Sequence, residues 1–523
     1  MPHPSIFNDV VGPVMRGPSS SHCAASLRIG RLCRDLMQGE IKDILIEFDP
    51  NGSLATTHKD QGSDMGLFGG FLGWEAYDER LVDSEKHLTE AGIQVSIQIV
   101  EMQAEHPNTY RITLKNDAET HQLIALSTGG GMLEVIEIDN VPFSLAGDNY
   151  AVLVYTQNPE SILEFVQNEN WIEERTLARG KRDSLVLLTT TQAPAASEIE
   201  RLQKHIGITG VRQLNPVLPI LTGKASRVPF ITVEEMLAYN ADRNLSLWEL
   251  AVLYESERGN IPAAEVLEKM EAIRIILSDA VETGLRGTQF ADRILGPQSV
   301  KFKAMLEEKK LVDADVLNRI IMYVSAIMEV KSSMGVIVAA PTAGSCGAMP
   351  GAVLGVAHSL GLSNEETVKA LLIAGLIGVF IAAHSTFAAE VGGCQAECGS
   401  GATMAAAALV YMGGGSLNQS LSAASMALQS SLGMICDPIG NRVEAPCLNR
   451  NVMAASNALS CANMALADYD ALIPLDEVIE TMYEVGKSIP NTLRCTNLGG
   501  LSITKTAKEI EQRLEKKQFF KSC

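Results

Sequence analysis

Apolar and polar residues alternate in short runs over the first part of the chain, which is the pattern of half-buried β-strands. The runs DILIEF, QVSIQIV, YRITL and LEVIEI show it, and Gly-rich loops separate them. NGSLATTHKDQGSDMGLFGGFLGW predicts a turn, a polar loop and a helix of small residues, and STGGGML puts three glycines between strands. Such glycines are typical of a tight turn or of backbone that approaches a ligand closely. The pattern predicts an α+β domain over residues 1–145.

A second group of elements follows over residues 146–222. YAVLVYT, EERTLARG, SLVLLTT and VRQLNPVLPI have the composition of strands, whereas PESILEFVQNENW and SEIERLQKHIG have helical spacing. The order is therefore βαββαβ, which resembles an ACT regulatory domain. NPES stands at the turn where such domains often carry Pro-Gly. Two alternatives therefore stay open for this unit: it binds an amino acid, or it has a purely structural or dimer-forming role.

Over residues 230–523 the apolar positions recur every three or four residues, which predicts a mostly α-helical domain. The longest apolar run, ALLIAGLIGVFIAA, is shorter than the roughly 20 residues that cross a bilayer. It predicts a buried helix and no membrane partner. Beyond residue 334 the composition shifts to Gly, Ala, Ser and Met. Because Gly weakens a helix, its clusters here indicate loops that bring backbone to a site.

Length and charge narrow the class of protein. A chain of 523 residues is too long for one core, and 46% apolar with 20% charged residues is ordinary for a folded protein. The net charge of −20 argues against a nucleic-acid partner, which needs a basic surface. The opening MPHP has no Lys- or Arg-led signal segment. The ten cysteines are therefore expected as thiols or metal ligands in a reducing cytoplasm.

Three cysteines stand beside Gly or Pro in predicted loops or helix ends: Cys394 in GGCQAECGSG, Cys436 in ICDPIG and Cys447 in EAPCLNRN. Backbone amides are free there to hydrogen-bond cluster sulfides. The spacing fits neither a structural zinc site nor a ferredoxin motif, although Cys398 leaves zinc open as an alternative. A 4Fe-4S cluster with one open iron requires three such cysteines. The others are expected as small buried hydrophobic residues: Cys23, Cys33, Cys346, Cys398, Cys461 and Cys495.

Motifs along nearly the whole chain resemble the iron–sulfur-dependent L-serine dehydratases. The N-terminal stretches that match are RGPSSSHCAAS, GSLATTHKDQGSDMGLFGGFLG and STGGGML. The helical stretches are SSMGVIVAAPTAGSCGAMPG, GGCQAECGSGATMAAA, CDPIGNRVEAPCLNRN and LGGLSITKTAKEI. The resemblance implies a β-type, allosteric-substrate-binding-like domain at 1–145, an ACT-like domain at 146–222 and a helical catalytic domain at 230–523.

The resemblance also implies an L-serine ammonia-lyase, which dehydrates serine to 2-aminoacrylate and hence yields pyruvate and ammonia. It implies a 4Fe-4S cluster on Cys394, Cys436 and Cys447, whose open iron is a Lewis acid, and no pyridoxal phosphate. Some members end in a cysteine that caps this iron, so Cys523 is either a tail ligand or an accident of sequence. β-Elimination on another amino acid (threonine, cysteine or a hydroxy amino acid) and a non-catalytic amino-acid-sensing protein stay open. ACT-type edges commonly dimerise, so a homodimer is expected.

A base for the substrate Cα proton is expected in SSSH. Histidine has an ordinary pKa near 6.5, and the resemblance implies that His22 takes or relays the proton. Ser20 and Ser21 are expected to act with it, and Ser19 to help bind the substrate carboxylate at the helix start. The alternative is an N-cap cluster with a surface histidine. His384 is expected as a core histidine or as a partner of the ligands. Further substrate-binding candidates are His58, Lys59, Asp64, Thr342, Gly344, Ser345, Arg450 and Asn451.

Overall fold

The computed structural model describes residues 3–180, 184–224 and 226–519, with the side chains of 515–519 left out. The strands, in chain order, are β1 (Val14–Met15), β2 (Asp43–Phe48), β3 (Gln94–Ile99), β4 (Thr109–Lys115), β5 (Thr120–Gly129), β6 (Met132–Ile138), β7 (Val141–Leu145), β8 (Tyr150–Thr156), β9 (Glu174–Arg179), β10 (Ser184–Thr190), β11 (Ile208–Leu214) and β12 (Ile337–Val338).

The helices begin in the N-terminal region and dominate the second half of the chain. They are α1 (Ala25–Leu36), α2 (Leu54–Thr57), α3 (Ser63–Phe71), α4 (Ser84–Glu90), α5 (Pro159–Val166), α6 (Ala196–Gln203), α7 (Val233–Asn240), α8 (Leu247–Gly259), α9 (Ala263–Arg286), α10 (Ser299–Glu307), α11 (Asp315–Ser332), α12 (Ala348–Leu360), α13 (Asn364–His384), α14 (Ala389–Gly392), α15 (Ser400–Met412), α16 (Leu417–Gln429), α17 (Cys447–Leu466), α18 (Leu475–Ser488) and α19 (Lys505–Phe519).

The N-terminal region contains a six-stranded sheet in the order β3-β2-β4-β5-β6-β7, in which only β2 and β3 are parallel. Strand β2 alternates as the sequence predicts, with Ile44, Ile46 and Phe48 buried. Helices α1 and α3 pack closely against each other. A Cβ on Gly30 of α1 would lie 2.6 Å from the Leu67 carbonyl oxygen of α3, which explains the small residues there.

The three successive glycines form the turn between β5 and β6, and all have positive φ. The turn also lies against the helical region: a Cβ on Gly129 would be 3.0 Å from the backbone nitrogen of Ala388. The glycines therefore provide both a tight turn and a close approach, and the approach is to another part of the chain.

The predicted βαββαβ order is present in β8, α5, β9, β10, α6 and β11. The four strands form an antiparallel sheet in the order β11-β8-β10-β9. One face carries Val152, Val154 and Val186, which pack with residues of α5 and α6. The other face contributes Leu153 and Leu187 to the core of the N-terminal region. The unit is therefore packed between its own helices and the six-stranded sheet.

The helical region is built around α13, which contains the long apolar run. By length and composition alone α13 passes as a helix that could cross a membrane, and 78% of its apolar window is buried inside the protein. The prediction of a buried core helix agrees with this packing. Helix α15 contacts α12, α13, α16 and α17, so its small residues lie at the centre of the bundle.

The N-terminal segment before α1 lies within the helical region. The buried carboxylate of Glu255 on α8 accepts hydrogen bonds from the Ser5 hydroxyl and from the Ile6 backbone N–H, the latter at 2.7 Å. Strand β1 then pairs antiparallel with β12. These contacts bring the SSSH segment beside the loop that follows β12.

Candidate active site

The SSSH segment forms a short π-helical turn, Ser20–Ala24, that leads into α1. His22 is completely buried. Its Nδ1 lies 3.1 Å from the Ser19 hydroxyl and 3.5 Å from a carboxylate oxygen of Glu390, and its Nε2 lies 2.9 Å from the Thr57 hydroxyl. Ser19 makes no side-chain capping bond. The alternative of an N-cap cluster with a surface histidine is therefore wrong.

The hydrogen bonds assign the tautomer of His22. The Thr57 hydroxyl donates to the Ser53 carbonyl at 2.7 Å, so it accepts from the Nε2–H of His22, and Nδ1 carries the lone pair. Burial, with a smaller contribution from the charge of His58, lowers the pKa of His22 to about 3. The sequence led us to expect an ordinary pKa for His22, but the pKa is lower because the ring is shielded from water. The imidazole is neutral at working pH.

Glu390 is the carboxyl group beside this ring, and burial raises its pKa. One of its oxygens, Oε2, has no hydrogen-bond partner among the described residues. Neither amide atom of the completely buried Asn108 makes a hydrogen bond of good geometry within that part of the chain, although the amide lies close enough to Glu390 to oppose the rise of its pKa. Buried polar atoms without partners indicate where a ligand or water is expected. Neither residue was singled out in the sequence, because neither lies in a motif of reactive side chains.

The loop after β12 contacts the SSSH segment directly. The Ala343 N–H donates to the Ser20 hydroxyl at 3.2 Å. The Thr342 hydroxyl donates to Glu397 at 2.7 Å and lies 3.0 Å from the Ser345 hydroxyl. A Cβ on Gly344 would be 2.7 Å from the same Glu397 oxygen, so a larger residue there would displace the end of the Glu397 side chain. Ser21 joins the assembly through its carbonyl, which accepts from Ser127 at 2.6 Å.

Asn451 connects this loop to the cysteines. Its Oδ1 accepts from the backbone of Gly347 and Ala348 at 3.1 and 2.9 Å, and its Nδ2 donates to the carbonyls of Gly344 and Cys447 at 2.8 Å each. The amide is therefore fully used in holding the loop against the start of α17, rather than free to contact a substrate.

Arg450 has a comparable structural partner. It donates to the buried Asp437 carboxylate at 2.6 Å, and the other oxygen of Asp437 accepts from the Leu501 N–H at 2.7 Å. Burial opposes the charge of Arg450, but the charges of Cys394 and Asp437 outweigh it and raise the pKa of the guanidinium. Arg450 thus places a positive charge near the cysteines, and this charge is already paired with the Asp437 carboxylate.

Cys394, Cys436 and Cys447 are buried free thiols. Burial raises the pKa of Cys447, and the charge of Cys394 raises it further. The pKa of Cys436 is raised by the neighbouring Cys495 thiol, by burial and by more distant charges that include Cys394. Cys394 therefore lies within electrostatic reach of both Cys436 and Cys447. Cys523, the predicted tail ligand, lies outside the described residues.

The donor set at this site consists of buried thiols. Within the described ranges, no group of three or more His, Cys, Asp or Glu residues is arranged to hold one metal ion. Cysteines that hold a cluster bind different irons and need not meet at one point. Two cysteines expected as plain hydrophobic residues lie here as well: Cys398 interacts with Cys394, and Cys495 with Cys436. In the sequence, only the C-x₃-C spacing from Cys394 indicated that Cys398 lies near the proposed ligands.

The polar loop before α3 contacts the group of buried thiols through Gln61 and Cys495. His58 pairs with Asp64 through Nδ1 at 2.7 Å, while Lys59 is exposed. Gln61 is buried, with its Nε2 3.4 Å from the Cys495 sulfur. His384 is exposed and bonds to the Ile231 carbonyl at 3.1 Å, so it is not a core histidine. Of these polar candidates, only the loop around His58 is in contact with the thiol-rich part of the site.

Together, the fold and the site define a multidomain protein in which a group of buried thiols lies where the α+β region contacts the helical region. Residues 242–502 match the family described as serine dehydratase alpha chain. A probable L-serine dehydratase alpha chain of Bacillus subtilis is 35% identical over 285 residues, which is 54% of this chain and 95% of the relative. An L-serine dehydratase of Helicobacter pylori is 27% identical over 509 residues, 93% of this chain and 96% of the relative. The chain belongs to the serine dehydratase alpha chain family.

Proposed function

We propose that this chain is an L-serine ammonia-lyase. It would remove the Cα proton and the β-hydroxyl group of L-serine as water, leaving 2-aminoacrylate, which tautomerises and hydrolyses to pyruvate and ammonia. The names of the relatives support serine as the substrate. The observation that carries the proposal is a chain of contacts from the segment of the buried His22 to the cysteines. Ser20, two residues before His22, bonds to the loop at 342–345. Asn451 then bonds to both that loop and Cys447.

The same proposal includes a 4Fe-4S cluster held by Cys394, Cys436 and Cys447, with no pyridoxal phosphate. When bound, the cluster supplies an open iron that acts as a Lewis acid on the substrate. Thiols must lose their protons to bind iron, and three buried thiols, two of which interact with Cys394 as the third, support this donor role. Cys523 is proposed as a cap on the open iron before substrate binds.

The residues around His22 are proposed to move the proton. The lone pair on Nδ1 accepts the Cα proton, because Nε2–H is engaged with Thr57. The resulting imidazolium lies 3.5 Å from Glu390, whose ionised form would stabilise it. Burial keeps water away from the base, since His22 is fully enclosed. Ser19 holds the ring from the other side through Nδ1 until substrate replaces it.

The substrate is proposed to lie between the SSSH segment and the loop that faces it. Hydroxyl groups of Ser20, Ser21, Thr342 and Ser345 would receive its carboxylate, and Gly344 allows the Glu397 carboxyl group to approach the backbone of this loop. His58, Lys59 and Asp64 would orient the amino acid from the polar loop, while Arg450 and Asn451 maintain the shape of the loop and the cysteines.

We also propose an ACT-like role for one unit of the chain, a homodimer and a cytoplasmic location. An ACT-like role for the unit from β8 to β11 is supported by its βαββαβ order and its sheet order. The proposed homodimer would form through that unit, and the proposed location of the protein is the cytoplasm. Light scattering would measure the mass in solution, and a monomer would contradict the dimer.

The test of the proposed function is anaerobic purification, an absorption spectrum with iron and sulfide analysis, and an assay for pyruvate and ammonia. A brown protein with about four irons per chain that turns over L-serine is expected. Comparison of kcat/KM for L-serine, L-threonine and L-cysteine then fixes the substrate. A colourless protein that still makes pyruvate would contradict the cluster, and amino-acid binding without turnover would indicate a sensor.

A further inference from the structure

Lys331 is a completely buried lysine near the end of α11, and the mechanism above does not use it. Its ammonium group donates to the Val443 carbonyl, four residues before Cys447. In the described part of the chain this is its only hydrogen-bond acceptor, and it forms no ion pair with a carboxylate. An ammonium group has three donors, and a buried charge without a counter-charge is costly.

The charge of Lys331 acts on the groups that surround the thiols. Burial raises the pKa of Cys346, Glu397, Glu444 and Cys447, and Lys331 opposes that rise at every one of them. Helix α11 also packs directly against α17, which begins at Cys447. The ammonium group therefore belongs to the surroundings of the cysteines.

Arg450 provides a contrast. It also acts on the cysteines, but its charge is matched by Asp437 at 2.6 Å. The loop that contains the Lys331 acceptor is fixed independently, because Glu444 accepts from the backbone of Ile294 and Leu295 at 2.9 and 3.0 Å. Lys331 is therefore a buried cation at this site that forms no ion pair with a described side chain, although Glu397 and Glu444 lie within reach of its charge.

We propose that Lys331 is the counter-charge for the anionic group that Cys394, Cys436 and Cys447 hold, an inference that rests on the proposed function. Three thiolates and a 4Fe-4S core together carry net negative charge. Lys331 would stabilise this charge, oppose loss of iron and raise the reduction potential of the cluster, since a nearby cation favours the more negative, reduced form. It acts on the cluster's surroundings and touches no reacting atom, so it is a positioning residue.

The test uses Lys331→Met, which removes the charge and the hydrogen bond, and Lys331→Gln, which removes the charge but keeps a donor for Val443. Both are expected to shorten the lifetime of the chromophore in air by about threefold or more and to lower its midpoint potential. In protein stripped of iron by a chelator, Lys331→Met is expected to melt at a higher temperature than the wild type, because a buried charge that forms no ion pair with a described side chain is gone. The control is Lys369→Met, which removes a lysine paired with Glu365 and Glu366.

Each outcome has a distinct meaning. If only Lys331→Met loses iron faster, the hydrogen bond to Val443 matters and the counter-charge is wrong. If both variants keep the iron content, lifetime and potential of the wild type, the inference is also wrong while the cluster stands. If the wild type itself binds no cluster, the proposed function fails first. Should Lys331→Met not fold, Lys331→Gln decides the matter alone.

Discussion

The two sides of the proposed active site differ in how completely their polar groups are satisfied. On the N-terminal side, both ring nitrogens of His22 have hydroxyl partners, and the Thr57 partner is itself fixed by Ser53. On the helical side, the Glu390 Oε2 is buried and has no hydrogen-bond partner among the residues that the structure describes. The hydrogen bonds around the His22 ring are complete, whereas the Glu390 carboxyl group beside it and the Asn108 amide still offer unused atoms.

This difference indicates which side depends on a bound group. Buried polar atoms without partners cost free energy, and so does a buried cation that forms no ion pair with a described side chain, such as Lys331. The hydrogen-bonded group of His22, Ser19, Thr57 and Ser53 can therefore form without a cofactor, because both ring nitrogens already have partners. The helical side is expected to reach its final state only when a group occupies the space among Cys394, Cys436 and Cys447.

The largest effect is expected from removing one cysteine. Cys436→Ala should abolish both the brown chromophore and pyruvate formation, because three thiolates are the minimum that the proposed cluster needs. Absorption, iron content and the serine assay measure it. The matched control is Cys461→Ala, which removes another buried thiol, on the helix that begins at Cys447. Retention of colour and activity in Cys436→Ala would show that the cluster ligands lie elsewhere.

The next effect concerns the N-terminal side alone. His22→Ala should keep the chromophore and lower kcat by about 10²–10⁴-fold, the usual contribution of a general base. The unchanged spectrum is the informative part, since it would show that the two sides are assembled independently. Turnover within a few-fold of the wild type would place the base elsewhere, and His58 would be examined first.

A smaller loss is expected at the hydroxyl that orients the base. Thr57→Val keeps the shape of the side chain but leaves the His22 Nε2–H without an acceptor, so kcat should fall by about tenfold. Thr57→Ser restores the hydroxyl and should recover most of the rate. A loss shared equally by both variants, with a lower melting temperature, would mean that the methyl group and packing matter instead.

Much of the fold follows from local pattern, whereas the contacts of the site do not. Strand β2 and helix α13 could be predicted because alternation and apolar runs are properties of the segment itself. The cysteines could be singled out by their Gly and Pro neighbours. Glu390, Thr57 and Lys331 could not, because their importance comes from partners far away in the sequence.

The surroundings of a predicted residue were also inaccessible from sequence. The ordinary pKa expected for His22 assumed contact with water, and only the packing of the N-terminal segment into the helical region shows that the ring is enclosed. In the same way, Asn451 was expected to bind substrate because it follows a ligand motif. Its four hydrogen bonds to backbone assign it to the frame of the site.

The smallest effect tests the contact between the two regions. Gly129 has φ of +109°, and a Cβ there would lie 3.0 Å from the Ala388 nitrogen, two residues before Glu390. Gly129→Ala should therefore displace Glu390 from His22 slightly and lower kcat by about two- to fivefold, with the chromophore retained. Gly92→Ala is the matched control, because Gly92 has φ of +79° and nothing within 4 Å of the added Cβ.

Both glycine variants should lose stability, since a side chain at positive φ costs ~1–3 kcal/mol. Only Gly129→Ala should also lose rate, because only there does the added methyl group press on the helical region. Melting temperature and kcat, measured on both variants, separate backbone strain from displacement. An equal loss of rate in the two variants would show that strain alone slows the enzyme. It would also show that the distance between His22 and Glu390 does not depend on this turn.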